Sequence, residues 1–132
     1  MTTRTLLVLA SLLGALAVVI GALGAHWLPR WLAEQGLDEA VTARRVETME
    51  TGVRYHMYHA LALLGIGIWQ RQSGATAGWS VGFMLAGILI FSGCLYVYSV
   101  SGLRMFAMIV PLGGLSLIAG WIGLAIAFAK QS

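Results

Sequence analysis

The stretch LLVLASLLGALAVVIGALGAHWL, residues 6–28, carries no formally charged side chain. An α-helix needs a run of about 20 mostly apolar residues to cross the hydrocarbon core of a bilayer. Three further apolar runs follow, at about residues 52–69, 79–100 and 105–129. None alternates long enough to be a barrel strand, and in lipid every backbone N–H and C=O must be satisfied internally. The runs therefore predict an all-α integral membrane protein, a single membrane domain built as an antiparallel bundle of four transmembrane helices.

Composition bears on which partners are excluded. The 132 residues are 59% hydrophobic and 10% charged, where a soluble domain carries about 25% charged residues. The net charge of +3 comes from basic residues scattered at the ends of the apolar runs. That is how membrane flanks look, whereas a nucleic-acid footprint needs a basic patch on one face. The bilayer is the expected partner and nucleic acid is not. The lone Cys94 rules out an internal disulfide and reads as a small buried hydrophobe. MTTR and Ala22-Leu23-Gly24 resemble a signal peptide, but the run is longer than a typical h-region, so it is read as a retained helix.

The connections at residues 70–78 and 101–104 are short and force antiparallel neighbours. The connection at residues 29–51 is long. In its segment 36–50, Leu37, Val41, Val46 and Met49 are interspersed with Asp38, Glu39, Arg44, Arg45, Glu47 and Glu50. That pattern predicts a short amphipathic helix on the membrane surface. Arg30, Arg44, Arg45, Arg54 and Arg104 against Arg4, Arg71 and Lys130 place the long loop in the cytoplasm by a narrow margin. The expected location is a bacterial plasma (inner) membrane, with several passes.

Helices in lipid associate where small residues let backbones approach. Ala17-Gly21-Ala25, Gly78-Gly82-Ala86 and Ala119-Gly123-Ala127 repeat at intervals of four and are the expected seams. Pro111 removes a backbone donor inside the last run and is followed by Gly113 and Gly114, so a kink or break is expected there.

The polar residues concentrate in ETGVRYHMYHALALL, residues 50–64. At about 100° per residue, Glu50, Arg54 and Tyr58 climb one stripe of a helix, Tyr55 and His59 a second, and His56 sits further round. The first stripe fits an interface, where tyrosines gather with Trp27 and Trp31. His59 is deeper and should face the bundle with a partner. Its candidate partners are Ser92, Tyr96, Tyr98 and Ser99 of the third helix, within a polar knot that also includes His26, Arg54 and Tyr55. A metal or haem held by His26, His56 and His59 is the sharper alternative, but no second motif accompanies them, and no cofactor is expected.

GALGAH (21–26), ETGVRYHMYHALALL (50–64), FSGCLY (91–96) and PLGG with GW (111–114, 120–121) resemble, in order, the small membrane family called domain of unknown function 423, which includes the animal transmembrane protein 256. The resemblance covers essentially the whole chain and implies a four-helix integral membrane protein with no established reaction. Cys94 stands where the family motif has serine, which argues against a catalytic cysteine. The leading functional reading is a non-enzymatic bundle that binds a lipid, quinone-like or other small ligand, or that supports a larger membrane complex. A transporter or channel, acting as a homo-oligomer with the Pro111–Gly114 break and His59 on its path, is the second. An enzyme using Glu50, His56 and His59 ranks last, because no nucleophile or cofactor fingerprint accompanies them.

Overall fold

Thr2 opens the first helix by accepting the Thr5 N–H on its hydroxyl at 3.1 Å, satisfying one of the orphan donors of a helix start. From there α1 runs Thr3–Glu34, continuing through Pro29. The computed structural model describes residues 1–130. After a turn at Gly36, α2 runs Glu39–Ser73 and stops where Gly74 turns left-handed at φ +70°. The third helix, α3, spans Ser80–Ser101. Within it Ser80–Gly87 and Gly93–Ser101 are α-helical, and Ile88–Ser92 is a π-helical turn. The last helix, α4, is Arg104–Ala129. No strand occurs among the described residues.

The helices α1, α3 and α4 are each long and apolar enough to cross a membrane. Helix α2 is the additional one, and its polar run from Arg54 to His59 is what lowers its hydropathy. Two expectations are corrected here. Segment 36–50 is not a separate surface helix: residues 39–50 are the first third of α2. Nothing between Asp38 and Gly52 is a proline or glycine, so no residue there stops the helix. At about 1.5 Å per residue, the 35 residues of α2 reach well beyond a hydrocarbon core of about 30 Å. The break expected at Pro111, Gly113 and Gly114 is also absent, since α4 runs unbroken through all three. The irregularity lies opposite, in the π-turn of α3.

Gly113 is where α4 meets that turn. A Cβ there would stand 2.7 Å from Phe91 Cα, so the backbones of α4 and the π-turn are in direct contact. Gly87 against Leu117 and Gly120 against Met84 extend the seam. The expected seam of Gly78, Gly82 and Ala86 does not form: Gly78 lies in the turn before α3 and Gly82 faces open space. On α1, Ala17, Gly21 and Gly24 face inward or meet α2, while Ala25 is exposed.

The result is two helical hairpins, α1–α2 and α3–α4, joined mainly by α2 lying along α3. One core, at the end near both termini, gathers Leu6, Leu63, Ile66, Met84, Ile88 and Leu124. A second gathers Leu28, Leu32 and Met49 beside Trp31, Tyr96 and Val100. Arg45, beyond the second core, donates to Val100 O at 3.3 Å. It also packs on Gly102, which holds φ +71° and has no room for a side chain. A cation thereby meets the carbonyl end of α3.

Candidate functional site

The two histidines of α2 sit one turn apart and face different neighbours. His59 is 5% exposed. Its Nδ1 lies 2.7 Å from the Tyr55 carbonyl oxygen, which only accepts, so Nδ1 carries the proton. Its Nε2 then accepts the Trp121 Nε1–H from α4 at 3.1 Å. Both nitrogens are engaged, and the ring is held as one neutral tautomer. His56 is 3% exposed and turns the other way. Its Nδ1 pairs with the Tyr96 hydroxyl of α3 at 3.1 Å, and its buried Nε2 has no partner.

Between α2 and α4, beside His59, a groove of about 670 Å³ opens to the side of the bundle. Ligand pockets commonly enclose about 300–1,000 Å³. Its walls are Tyr55, Tyr58, His59 and Leu61 on one side and Gly114, Leu117, Ile118 and Trp121 on the other, with Phe91 of the π-turn as its floor. Aromatic contacts fix the floor and walls: Tyr55 meets Phe91 at 4.8 Å between centroids, and Trp121 stands edge-on to His59 at 6.1 Å. Because the imidazole and the indole satisfy each other, the polar capacity of the groove rests with the Tyr55 and Tyr58 phenols at its α2-N-terminal end. Leu61, Leu117 and Ile118 make the rest apolar. The arrangement is polar at one end and apolar along its length.

The other expected site residues are distributed as follows. Glu50 and Arg54 are exposed and flank a separate shallow pocket with Gly21, Gly24, Met49 and Val53. His26 is exposed near the end of α1 beside Arg30 and Glu34, next to the stacked Trp27–Trp31 pair. The expected knot is thus corrected: His26 and Arg54 lie outside it, and His59 pairs with neither Tyr96 nor Tyr98. Tyr96 belongs to His56, Tyr98 is half-buried elsewhere on α3, and Ser99 bonds its own helix at Leu95 O. The three imidazoles do not converge, and no group of three metal-ligating side chains forms among the described residues. Gly114 does belong to the site, as groove wall rather than helix break. Trp121 is the residue that sequence reasoning missed. Its signal was an indole deep in the last apolar run, far from either interface, where its N–H needs an acceptor.

A family model described as "Protein of unknown function (DUF423)" matches residues 20–114. The UPF0382 membrane protein YwdK of Bacillus subtilis is 37% identical, over 96% of this chain and 98% of its own length. The UPF0382 inner membrane protein YgdD of Escherichia coli K12 is 36% identical, over 92% of this chain and 86% of its own. The UPF0382 membrane protein SSP2132 of Staphylococcus saprophyticus is 33% identical, over 96% and 98%. No solved structure matches the chain. Family model, relatives and apolar helices agree, and the chain belongs to the DUF423, or UPF0382, family of uncharacterised membrane proteins.

Proposed function

We propose that this is a four-span, non-enzymatic protein of the bacterial inner membrane whose lateral groove between α2 and α4 binds a lipid or similar amphiphile. The fourth span is α2. Its polar side chains depress its hydropathy, yet the deepest of them, His56 and His59, are buried and turned toward other helices, as polar groups within lipid must be. The groove itself carries the functional reading, being apolar along its length, with two phenols at one end, and open at the side of the bundle. A head group with hydrogen-bonding oxygens suits Tyr55 and Tyr58, and an acyl or isoprenoid chain suits Leu61, Leu117 and Ile118. Transport has less support, since the helix break on which it depended is absent from α4.

The test is photo-crosslinking in bilayers containing a phospholipid with a photoactivatable acyl chain. The expected result is stronger labelling of Tyr58, Leu61 and Ile118 than of Val18 and Val19 on the exposed face of α1. Gly114→Leu should then fill the groove, because a Cβ at Gly114 meets Phe91 only at 3.8 Å and so has room. Labelling should drop at least about fivefold, equivalent to about 1 kcal/mol of binding. Equal labelling of groove and α1 face, unchanged by Gly114→Leu, would sink the proposal.

A further inference from the structure

The opposite flank of α2 carries buried polar atoms that the groove does not use. Ser92 closes the π-turn and is 1% exposed, and its Oγ has no hydrogen-bond partner. This sets it apart. Ser11, Ser73, Ser99 and Ser101 each donate to the carbonyl four residues earlier, and Ser80 and Ser116 donate across to a facing helix. For Ser92 the carbonyl four residues earlier is Ile88 O, which the π register gives to the Gly93 N–H. At this re-paired turn the Ser92 hydroxyl is left without the back-bond that Ser99 and Ser101 make further along the same helix.

One turn further along α3, Tyr96 carries its hydroxyl to His56 Nδ1 at 3.1 Å. Ser92 and Tyr96 stand four residues apart on α3, on the same side of the helix. Gly52 lets the phenol approach α2, since a Cβ there would stand 2.8 Å from the Tyr96 ring. So two buried polar atoms without partners, His56 Nε2 on α2 and Ser92 Oγ on α3, belong to the two residues that neighbour one phenol. Leaving such an atom unsatisfied costs about 1–3 kcal/mol, and ordered water is the usual remedy in protein interiors.

We propose that the π-turn of α3 holds an internal water-binding site, with His56 Nε2 and Ser92 Oγ as its protein ligands and the Tyr96 phenol between them. Water is the occupant that fits. If Tyr96 donates to Nδ1, Nε2 is an N–H and the water accepts. If Nδ1 donates to Tyr96, Nε2 is a lone pair and the water donates. Only a ligand able to do both satisfies either tautomer, and the serine hydroxyl accepts the same exchange. A metal ion lacks the donors, because no second imidazole or carboxylate joins these atoms among the described residues.

The experiment is water-edited magic-angle-spinning NMR of the full chain in bilayers, labelled with nitrogen-15 at histidine. Magnetisation from water should reach the His56 ring several-fold faster than the His59 ring, whose nitrogens are both engaged by protein. Ser92→Ala should slow the His56 build-up toward that of His59, and Ser92→Thr, which keeps the hydroxyl, should restore it. Equal and slow build-up at both rings of the wild-type protein would show a dry site and overturn the proposal. A His56 signal unchanged by Ser92→Ala would overturn it too, by removing Ser92 from the ligand set. Neither outcome depends on whether the groove on the other flank binds lipid.

Discussion

Helix α2 presents two histidines one turn apart to two different environments. On the α4 side, His59 has every polar atom matched, by its own backbone and by Trp121. On the α3 side, His56 has one nitrogen matched and one open. The difference arises from the neighbours. Helix α4 is α-helical throughout and offers an indole N–H at the right height, while α3 meets His56 through Tyr96, one turn beyond the π-turn in which Ser92 Oγ has no partner. A saturated pair acts as a strut that holds the wall of a groove. An unsaturated one has hydrogen-bonding capacity left over for something small.

Because the π-turn touches both flanks, the strongest way to break the comparison is to disturb the contact that seats it. Gly113→Ala places a methyl group against the Phe91 backbone, which cannot give as a side-chain tip would. Overpacking of this kind costs about 1–3 kcal/mol, and the upper end is expected here. Reversible unfolding in detergent should register the loss. Gly114→Ala, one residue along and with room to spare, should lose far less. Equal losses at the two glycines would mean that the close backbone approach is not what sets the turn.

The next largest effect separates the two histidines themselves. His59→Ala removes a buried ring together with hydrogen bonds at both nitrogens, and should cost about 3 kcal/mol. His56→Ala removes a comparable ring but only one hydrogen bond to protein, and should cost about 2 kcal/mol, the difference being the worth of one bond of about 1 kcal/mol. The same unfolding assay reads both. A larger loss at His56 than at His59 would reverse the assignment of strut and open site.

How much of this was legible in the sequence follows from what a single helix encodes. The apolar runs, the antiparallel order and the inward position of His59 could be read from length, turn spacing and depth. The partner of His59 could not. Successive residues advance by about 100° on one helix, but nothing in that arithmetic fixes how a neighbouring helix is rotated. The π-turn compounds this, since one extra residue in the turn rotates all that follows it on α3. Tyr96 was therefore expected at His59 and is found at His56. The surface helix failed for a simpler reason: an amphipathic pattern fits the protruding end of a long helix as well as a separate one. The break expected at Pro111 fails because a helix in lipid tolerates a proline where neighbouring groups satisfy the freed carbonyl, and α4 continues past it.

A finer test of the strut is a double-mutant cycle on His59→Ala and Trp121→Phe. Hydrogen bonds between membrane helices average about 0.6 kcal/mol and reach about 1.7 kcal/mol in such cycles. The His59–Trp121 pair should lie in the upper half of that range, near 1 kcal/mol by the same scale, because the second bond to Tyr55 O holds the ring in its accepting tautomer. The corresponding cycle of His56→Ala with Tyr96→Phe should give about half as much, since a second ligand at Nε2 leaves the His56 ring free to exchange donor and acceptor roles at Nδ1. Similar coupling energies in the two cycles would mean that the fixed tautomer adds nothing to the strength of the strut.

The smallest effect changes no free energy and resolves the comparison most directly. The nitrogen-15 shifts of each imidazole report which nitrogen carries the proton. His59 should show a single form protonated at Nδ1, because a carbonyl oxygen on one side can only accept and an indole N–H on the other can only donate. Trp121→Phe removes the donor and should leave Nδ1 protonated, since Tyr55 O still demands it, while the Nε2 signal moves toward that of an unbonded nitrogen. His56 has a phenol on one side that both donates and accepts, so geometry imposes no single form on it. Its ring should exchange between tautomers, and Tyr96→Phe should shift that balance measurably. A His59 ring found in two forms would mean that the bond to Trp121 is not maintained in the bilayer, and the groove wall would then be mobile at the position where it is drawn as fixed.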